Sequence, residues 1–194
     1  MNNLNNLRFK YDLRKAVGDK KILNTFENGM PFHDLENNIK VVRDKLDFTF
    51  NILTYLLPSD DKLFGKFNAL VTKNNKNILI GITSNMYNIL DTNEMNFVLG
   101  HEIGHIIFGH LNNVKHVQSI ESFYQEISAD RIGYLVCGDI GIITNVLYKI
   151  RLGFISKYKK NSIKESMNYK ESIKSHTHPS DSIRIKSLIK FSMS

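Results

Sequence analysis

His101-Glu102-Ile103-Gly104-His105, within the apolar run Asn96–Phe108, is the most informative part of this sequence. Positions four apart on an α-helix differ by about 40° in direction, so both imidazoles can reach one metal ion. Glu102 lies roughly 100° round from His101 on that helix, where its carboxylate can reach a water molecule on the same ion. This spacing predicts the first half of a catalytic zinc site.

The composition indicates one globular domain. The 194 residues are 42% hydrophobic and 23% charged, which are ordinary values for such a domain. No apolar run approaches the roughly 18 residues that a membrane span needs, and the first residues lack a signal-peptide pattern. Cys137 is the only cysteine, which rules out a disulfide framework and a cysteine-rich zinc ribbon. We therefore expect a single domain, residues 1–194, without a transmembrane segment and in the reducing cytoplasm.

The net charge of +7 is concentrated towards the C-terminus. Residues 149–194 contain 11 Lys or Arg against 3 Asp or Glu. A basic segment can attract nucleic acid or an anionic surface, but solvated lysines on helix faces explain it more simply. We therefore expect a peptide or protein substrate as the partner, in preference to nucleic acid.

Hydrophobic periodicity predicts an α+β domain that is mainly α-helical. A helical N-terminal region, residues 1–62, precedes a catalytic core, residues 63–194. Asp91 followed three residues later by Glu94 is typical of a helix N-cap, and two β-prone runs separated by a polar segment predict a hairpin. The predicted elements are a long amphipathic helix over 34–57, strands at 63–72 and 78–83, the motif helix at about 92–109, and helices at about 120–136, 142–152 and after Pro179.

The two histidines need a third protein ligand, since a catalytic zinc usually has three and keeps a fourth position for water. In the metzincin pattern a histidine follows the second one by six residues, but residue 111 is Leu and His110 comes one residue early. On a continued helix His110 would point about 180° from His101. The position of His110 therefore favours a supporting or surface role over metal binding.

Glu126-Ile127-Ser128-Ala129-Asp130, which begins 21 residues after His105, is the better source of a ligand. Its two carboxylates share a face of the next predicted helix, and Ala129 is small enough to let two helices approach closely. An antiparallel return after a loop would bring this helix beside the first. One carboxylate can then bind metal while the other holds a ligand histidine by its second ring nitrogen.

These motifs resemble the gluzincin pattern of the HtpX-like and CAAX-prenyl endopeptidase family of zinc metalloproteases, in which Glu-x-x-Ala-Asp follows His-Glu-x-x-His at this interval. His178-Pro179 with Arg184 is similar to the family's C-terminal signature, and Asn68-Ala69 is similar to an Asn-Ala on its substrate-facing strand. The resemblance covers roughly residues 67–188. Membrane helices of the best-known members are missing from this sequence, so we expect a stand-alone catalytic domain.

The resemblance implies a zincin-like domain with a small β-hairpin or sheet beside the active-site helix, and Zn²⁺ as the cofactor. The expected activity is endopeptidase hydrolysis by a zinc-activated water molecule, with Glu102 as the general base. The implied site residues are His101, His105 and Glu126 as metal ligands, Asp130 holding a ligand histidine, His178 or Arg184 at the oxyanion, and Asn68 and Ala69 at the substrate. Without the upstream motifs, His178 would be a turn residue and Arg184 a salt-bridge partner of Asp130.

Three alternative functions belong to other classes. An ImmA or IrrE-like peptidase acting on a repressor shares His-Glu-Ile-Gly-His and the trailing Gly-His, but the Ala-Asp after Glu126 and the His178-Pro179 signature argue against it. A non-catalytic zinc-binding or partner-binding module would have lost hydrolysis, yet no residue of the expected site is substituted. A DNA-associated SprT-like protease would explain the basic segment, but one cysteine cannot build its zinc ribbon.

Overall fold

Helices and one four-stranded sheet make up the residues that the computed structural model describes, which are 26, 29–59, 67–73, 77–113, 120–158 and 180–194. This confirms the α+β, mainly helical fold class. The described residues divide into two compact units after Asn88. The strands are β1 (Met30–Pro31), β2 (Asn51–Leu57), β3 (Ala69–Lys73) and β4 (Asn77–Thr83); the helices are α1 (Glu36–Leu46), α2 (Ser84–Ile89), α3 (Thr92–Ile107), α4 (Ile120–Cys137), α5 (Ile140–Tyr158) and α6 (Asp181–Ser192), with a 3₁₀ turn at His110–Asn113.

The first unit contains the sheet, whose strand order is β1-β2-β4-β3. Antiparallel pairing of β3 with β4 confirms the predicted hairpin. β2 runs parallel to β4, with Ile52 opposite Ile78 and Leu57 opposite Thr83. The side chain of Leu57 packs onto Gly81, where a Cβ atom would lie 2.6 Å from Leu57 Cδ1. A larger residue at this position of β4 would therefore displace the Leu57 side chain.

The predicted helix over residues 34–57 is wrong in its second half. α1 ends at Leu46, and Asp47 adopts the left-handed conformation with φ 47° while its N–H bonds the carbonyl of Arg43. The residues that follow form β2, in which Ile52, Tyr55 and Leu57 are buried. Apolar spacing in a short run does not distinguish a strand from a helix, and here pairing with the distant strand β4 decides the structure.

The N-terminus of α3, in the second unit, is held by a capping box. Asp91 accepts hydrogen bonds of 2.9 Å from the N–H groups of Asn93 and Glu94, and Glu94 accepts one of 2.8 Å from the Asp91 N–H. The Glu94 carboxylate also binds Lys149 Nζ at 2.6 Å, and Lys149 donates to the Ile89 carbonyl. The predicted N-cap is confirmed, and Lys149 ties α5 to the start of the motif helix.

α3 and α4 pack against each other in antiparallel directions through small residues. A Cβ atom on Gly104 would lie 2.8 Å from Ala129 Cα, and one on Gly100 would lie 3.0 Å from Gly133 Cα. A Cβ on Gly133 would in turn meet the ring of Phe97 at 2.6 Å. Because real Cβ contacts are longer, these positions require glycine for the helices to stay this close.

α5 and α6 complete the second unit. α6 packs on α4 and α5, with Leu188 fully buried, and α5 also packs on α3. The helix predicted at 120–136 is confirmed, whereas α5 begins two residues earlier and ends six residues later than predicted. Among the helices of the described residues, none has the length and apolar character to cross a membrane.

Candidate functional site

Two histidines of α3 and a carboxylate of α4 converge in the second unit. His101 Nε2 lies 3.1 Å from His105 Nε2. The Glu126 carboxylate faces both rings, with one oxygen 3.6 Å from His101 Nε2 and the other 3.6 Å from His105 Nε2. One donor atom from each of the three side chains lies within 4.8 Å of the other two. The structure therefore brings together the three residues that the sequence predicts as metal ligands.

The antiparallel packing of α3 on α4 explains this convergence. With Gly104 against Ala129, the residue one turn before Ala129 on α4 faces the two histidines, and that residue is Glu126. The predicted role of Ala129 as a small residue between close helices is confirmed, and its main contact is Gly104. Two pairs of small residues at four-residue spacing, Gly100 with Gly104 and Ala129 with Gly133, were the sequence signal for this approach.

Asp130 connects His101 to a buried arginine. Its carboxylate lies 2.9 Å from His101 Nδ1 and accepts two hydrogen bonds from Arg184, one from Nε at 2.7 Å and one from a terminal nitrogen at 2.5 Å. Asp130 itself is 0% exposed. Asp130 therefore occupies the place predicted for the residue that holds a ligand histidine, and Arg184 makes the salt bridge with Asp130 that was its predicted alternative role.

Burial and neighbouring charges shift the pKa values of Asp130 and His101 in opposite directions. Burial raises the pKa of Asp130, but the charge and hydrogen bonds of Arg184, with the hydrogen bond of His101, outweigh it and hold this pKa below its usual value. Burial lowers the pKa of His101, yet the bond to Asp130 and the charge of Glu126 leave that pKa raised. Removing Glu126 or Asp130 would therefore lower the pKa of His101.

Glu102, the predicted general base, lies on α3 one residue after His101 and is 8% exposed. The two residues differ by about 100° around the helix axis, so Glu102 borders the cluster without being one of its three converging donors. A buried carboxylate next to a histidine cluster is a typical arrangement for an acid–base group.

His110 contacts the back of the His105 ring, and sequence reasoning left its role open. α3 ends at Ile107, and Gly109 with φ 69° turns the chain so that His110 Nδ1 lies 2.9 Å from His105 Nδ1. His110 Nε2 in turn lies 3.4 Å from Ser128 Oγ. Burial and the nearby His101 lower the pKa of His110. The signal in the sequence was Gly109, which ends the helix and changes the direction of the next side chain.

The remaining predicted site residues are His178, Asn68 and Ala69. His178 and Pro179 fall outside the described residues. Asn68 immediately precedes β3, and its backbone groups bond Thr83 at the end of β4. Ala69 begins β3 opposite Ile82. A substrate-binding role for Asn68 and Ala69 stays a prediction.

Comparison with protein families supplies independent information about this part of the chain. Residues 31–124 match the model of peptidase family M48. This part of the chain is therefore similar to peptidase family M48. The match confirms the metallopeptidase family predicted from the motifs and supports a metallopeptidase function. No curated protein and no solved structure matches the chain.

The donor set of this cluster fits zinc. Two imidazole nitrogens and one carboxylate form a His₂Glu set, which is typical of catalytic zinc with a fourth position left for water. Two nitrogens about 2.0–2.1 Å from a tetrahedral ion are roughly 3.3–3.4 Å apart. The distances of 3.1 Å and 3.6 Å that join His101, His105 and Glu126 are close to this value.

We expect Arg184→Ala to destabilise the protein by about 3 kcal/mol, because Asp130 would be left as a buried carboxylate without its cationic partner. Urea unfolding in the presence of a chelator measures this without a contribution from metal. The matched control is Arg151→Ala. It removes a 3.0 Å salt bridge to Asp181, and the Arg151 side chain is 44% exposed. That change should cost less than about 1 kcal/mol. Equal losses in the two variants would show that the Arg184 contact is no stronger than a surface pair.

The same contact makes stability depend on pH. The pKa of Asp130 is lowered from its ordinary value of 3.8 by Arg184, so its stabilising contribution is present above that pH. The contribution is lost as the pH falls through the folded-state pKa. The Arg184→Ala variant should therefore lose less stability than the wild type when acidified below about pH 4.

Proposed function

We propose that the chain is a zinc-dependent endopeptidase in which His101, His105 and Glu126 hold the metal. The observation that carries the proposal is the convergence of these three donors, at distances near those of a tetrahedral zinc site, on helices fixed by close packing. The M48 match to residues 31–124 supports it, although that match ends two residues before Glu126. The assignment of Glu126 therefore depends on the geometry.

Glu102 supplies the acid–base chemistry in this proposal. When bound, zinc would lower the pKa of a water molecule and polarise a peptide carbonyl. Glu102 takes the proton from the attacking water molecule and delivers it to the leaving amine. Glu102 is buried and lies on α3 between His101 and His105. Its carboxylate is therefore carried by a rigid element of the fold.

Asp130 and Arg184 position His101 in the proposed site. The Asp130 carboxylate faces His101 Nδ1, which leaves Nε2 directed towards Glu126 and His105. Arg184 uses its Nε and one terminal nitrogen on Asp130, so we assign it to holding this carboxylate. We leave the oxyanion role to His178, and substrate binding to Asn68 and Ala69, as predictions from the family resemblance.

Metal analysis combined with a peptide-library digest tests the proposal. We expect about one zinc per purified chain, cleavage within the peptides, complete loss of cleavage after chelation, and recovery when zinc is added back. Cleavage that survives removal of all zinc would contradict the proposal. Bound zinc without cleavage of any peptide or protein would favour a non-catalytic module. Cleavage confined to one repressor protein would favour the ImmA or IrrE-like alternative.

A further inference from the structure

We propose that His110 is a positioning residue for His105, because its imidazole accepts the hydrogen on His105 Nδ1 and so leaves His105 Nε2 free to bind metal. The inference rests on the proposed function. It starts from the 2.9 Å contact between the two Nδ1 atoms. His105 Nε2 lies at the other side of its ring, 3.1 Å from His101 Nε2 and 3.6 Å from Glu126. His110 therefore contacts His105 on the Nδ1 side of its ring, opposite the converging donor atoms, and is not part of the donor set.

The hydrogen-bond directions fix a single arrangement of hydrogens. A metal ligand must present a lone pair at His105 Nε2, so the ring hydrogen of neutral His105 is on Nδ1. His110 Nδ1 then accepts that hydrogen, which places the hydrogen of His110 on Nε2, facing Ser128 Oγ at 3.4 Å. Ser128 Oγ lies 2.9 Å from the carbonyl oxygens of Tyr124 and Gln125 and donates to the backbone. Its lone pairs remain available to the His110 Nε2–H. Each hydrogen bond from His105 through His110 to Ser128 therefore has one donor and one acceptor.

The backbone holds His110 in this position. The backbone of Gly109 has φ 69°, a conformation that residues other than glycine rarely adopt. The ring of Phe108 stacks on the His110 ring with centroids 5.6 Å apart and an angle of 19° between the planes. The turn and the stacked ring therefore fix the direction from which His110 reaches His105.

His101 and His105 thus receive different support. His101 faces the carboxylate of Asp130, whose charge is compensated by Arg184. His105 faces a neutral imidazole, which orients the ring without adding negative charge. Groups that hold the second nitrogen of a metal-binding histidine typically contribute 10–100-fold to metal affinity or activity, so we expect a loss of roughly that size when His110 is removed.

The test compares zinc dissociation constants, measured by competition with a chelator, for the wild type, His110→Ala, His110→Asn and the control His33→Ala. His33 has an 81% exposed side chain and pairs only locally with Glu36. We expect His110→Ala to bind zinc about 10–100-fold more weakly, with one zinc per chain still bound at saturation. His110→Asn should recover most of the affinity, because its side-chain oxygen can accept near the position of Nδ1. His33→Ala should match the wild type.

Nitrogen-15 NMR of the zinc-loaded wild type provides a readout that does not depend on any variant folding. We expect a protected hydrogen on His105 Nδ1 and the Nε2–H tautomer of His110. A His110→Ala protein with wild-type zinc affinity, or a His110 with its hydrogen on Nδ1, would overturn the inference while leaving the zinc site intact. Two zinc ions per wild-type chain, reduced to one in His110→Ala, would make His110 a ligand and also overturn it. A wild type that binds no zinc would overturn the proposed function and this inference together.

Discussion

Replacing Glu102 with Gln is expected to lower kcat/KM for peptide hydrolysis by about 10²–10⁴-fold while leaving the zinc content unchanged. The amide keeps the size of the side chain but cannot accept a proton from water. Glu102 lies outside the three converging donors His101, His105 and Glu126, so the metal site itself stays complete. Kinetics on a peptide identified in the library digest, together with zinc analysis of the same preparation, measure both quantities.

The control for this variant is Glu36→Gln, which makes the same chemical change at an exposed carboxylate of α1 with a 77% exposed side chain. It should have wild-type kinetics. Wild-type hydrolysis by Glu102→Gln would remove Glu102 as the general base. Loss of zinc in that variant would instead indicate that Glu102 contributes to metal binding, in contradiction to the geometry of the cluster.

The features of the site that could be predicted from sequence are those set by local helix geometry. Two residues four apart on a helix share a face whatever surrounds the helix, so the convergence of His101 and His105 follows from the motif. The capping box at Asp91 also depends only on neighbouring residues. Glu126 needed the further assumption of an antiparallel return, which the close packing of Gly104 on Ala129 provides.

The features that could not be predicted depend on contacts distant in sequence. β2 has the apolar spacing of a helix continuing from α1, and it becomes a strand by pairing in parallel with β4, 26 residues further along the chain. Local propensity does not encode that pairing. His110 is similar, because its direction depends on where α3 ends and on the left-handed turn at Gly109. A continued helix would have turned it away from His105.

Replacing Glu126 with Ala is expected to weaken zinc binding by at least about 100-fold, more than the 10–100-fold typical of residues that only support a ligand, and to abolish chelator-sensitive hydrolysis. Ala removes the carboxylate that faces both histidines at 3.6 Å. Glu126→Gln should lie between the wild type and Ala, because it keeps a neutral oxygen donor. Chelator competition at one fixed pH measures the dissociation constants, since protons compete with zinc for the histidines.

Two comparisons make this prediction specific to Glu126. Glu121→Ala removes an exposed carboxylate five residues earlier on α4 and should keep wild-type zinc affinity. Asp130→Asn tests the division of roles between the two carboxylates. Asp130 bonds His101 Nδ1 and Arg184, so its change should weaken zinc binding less than Glu126→Ala does. If Asp130→Asn loses more zinc affinity than Glu126→Ala, the two roles are exchanged, and Asp130 would be the ligand.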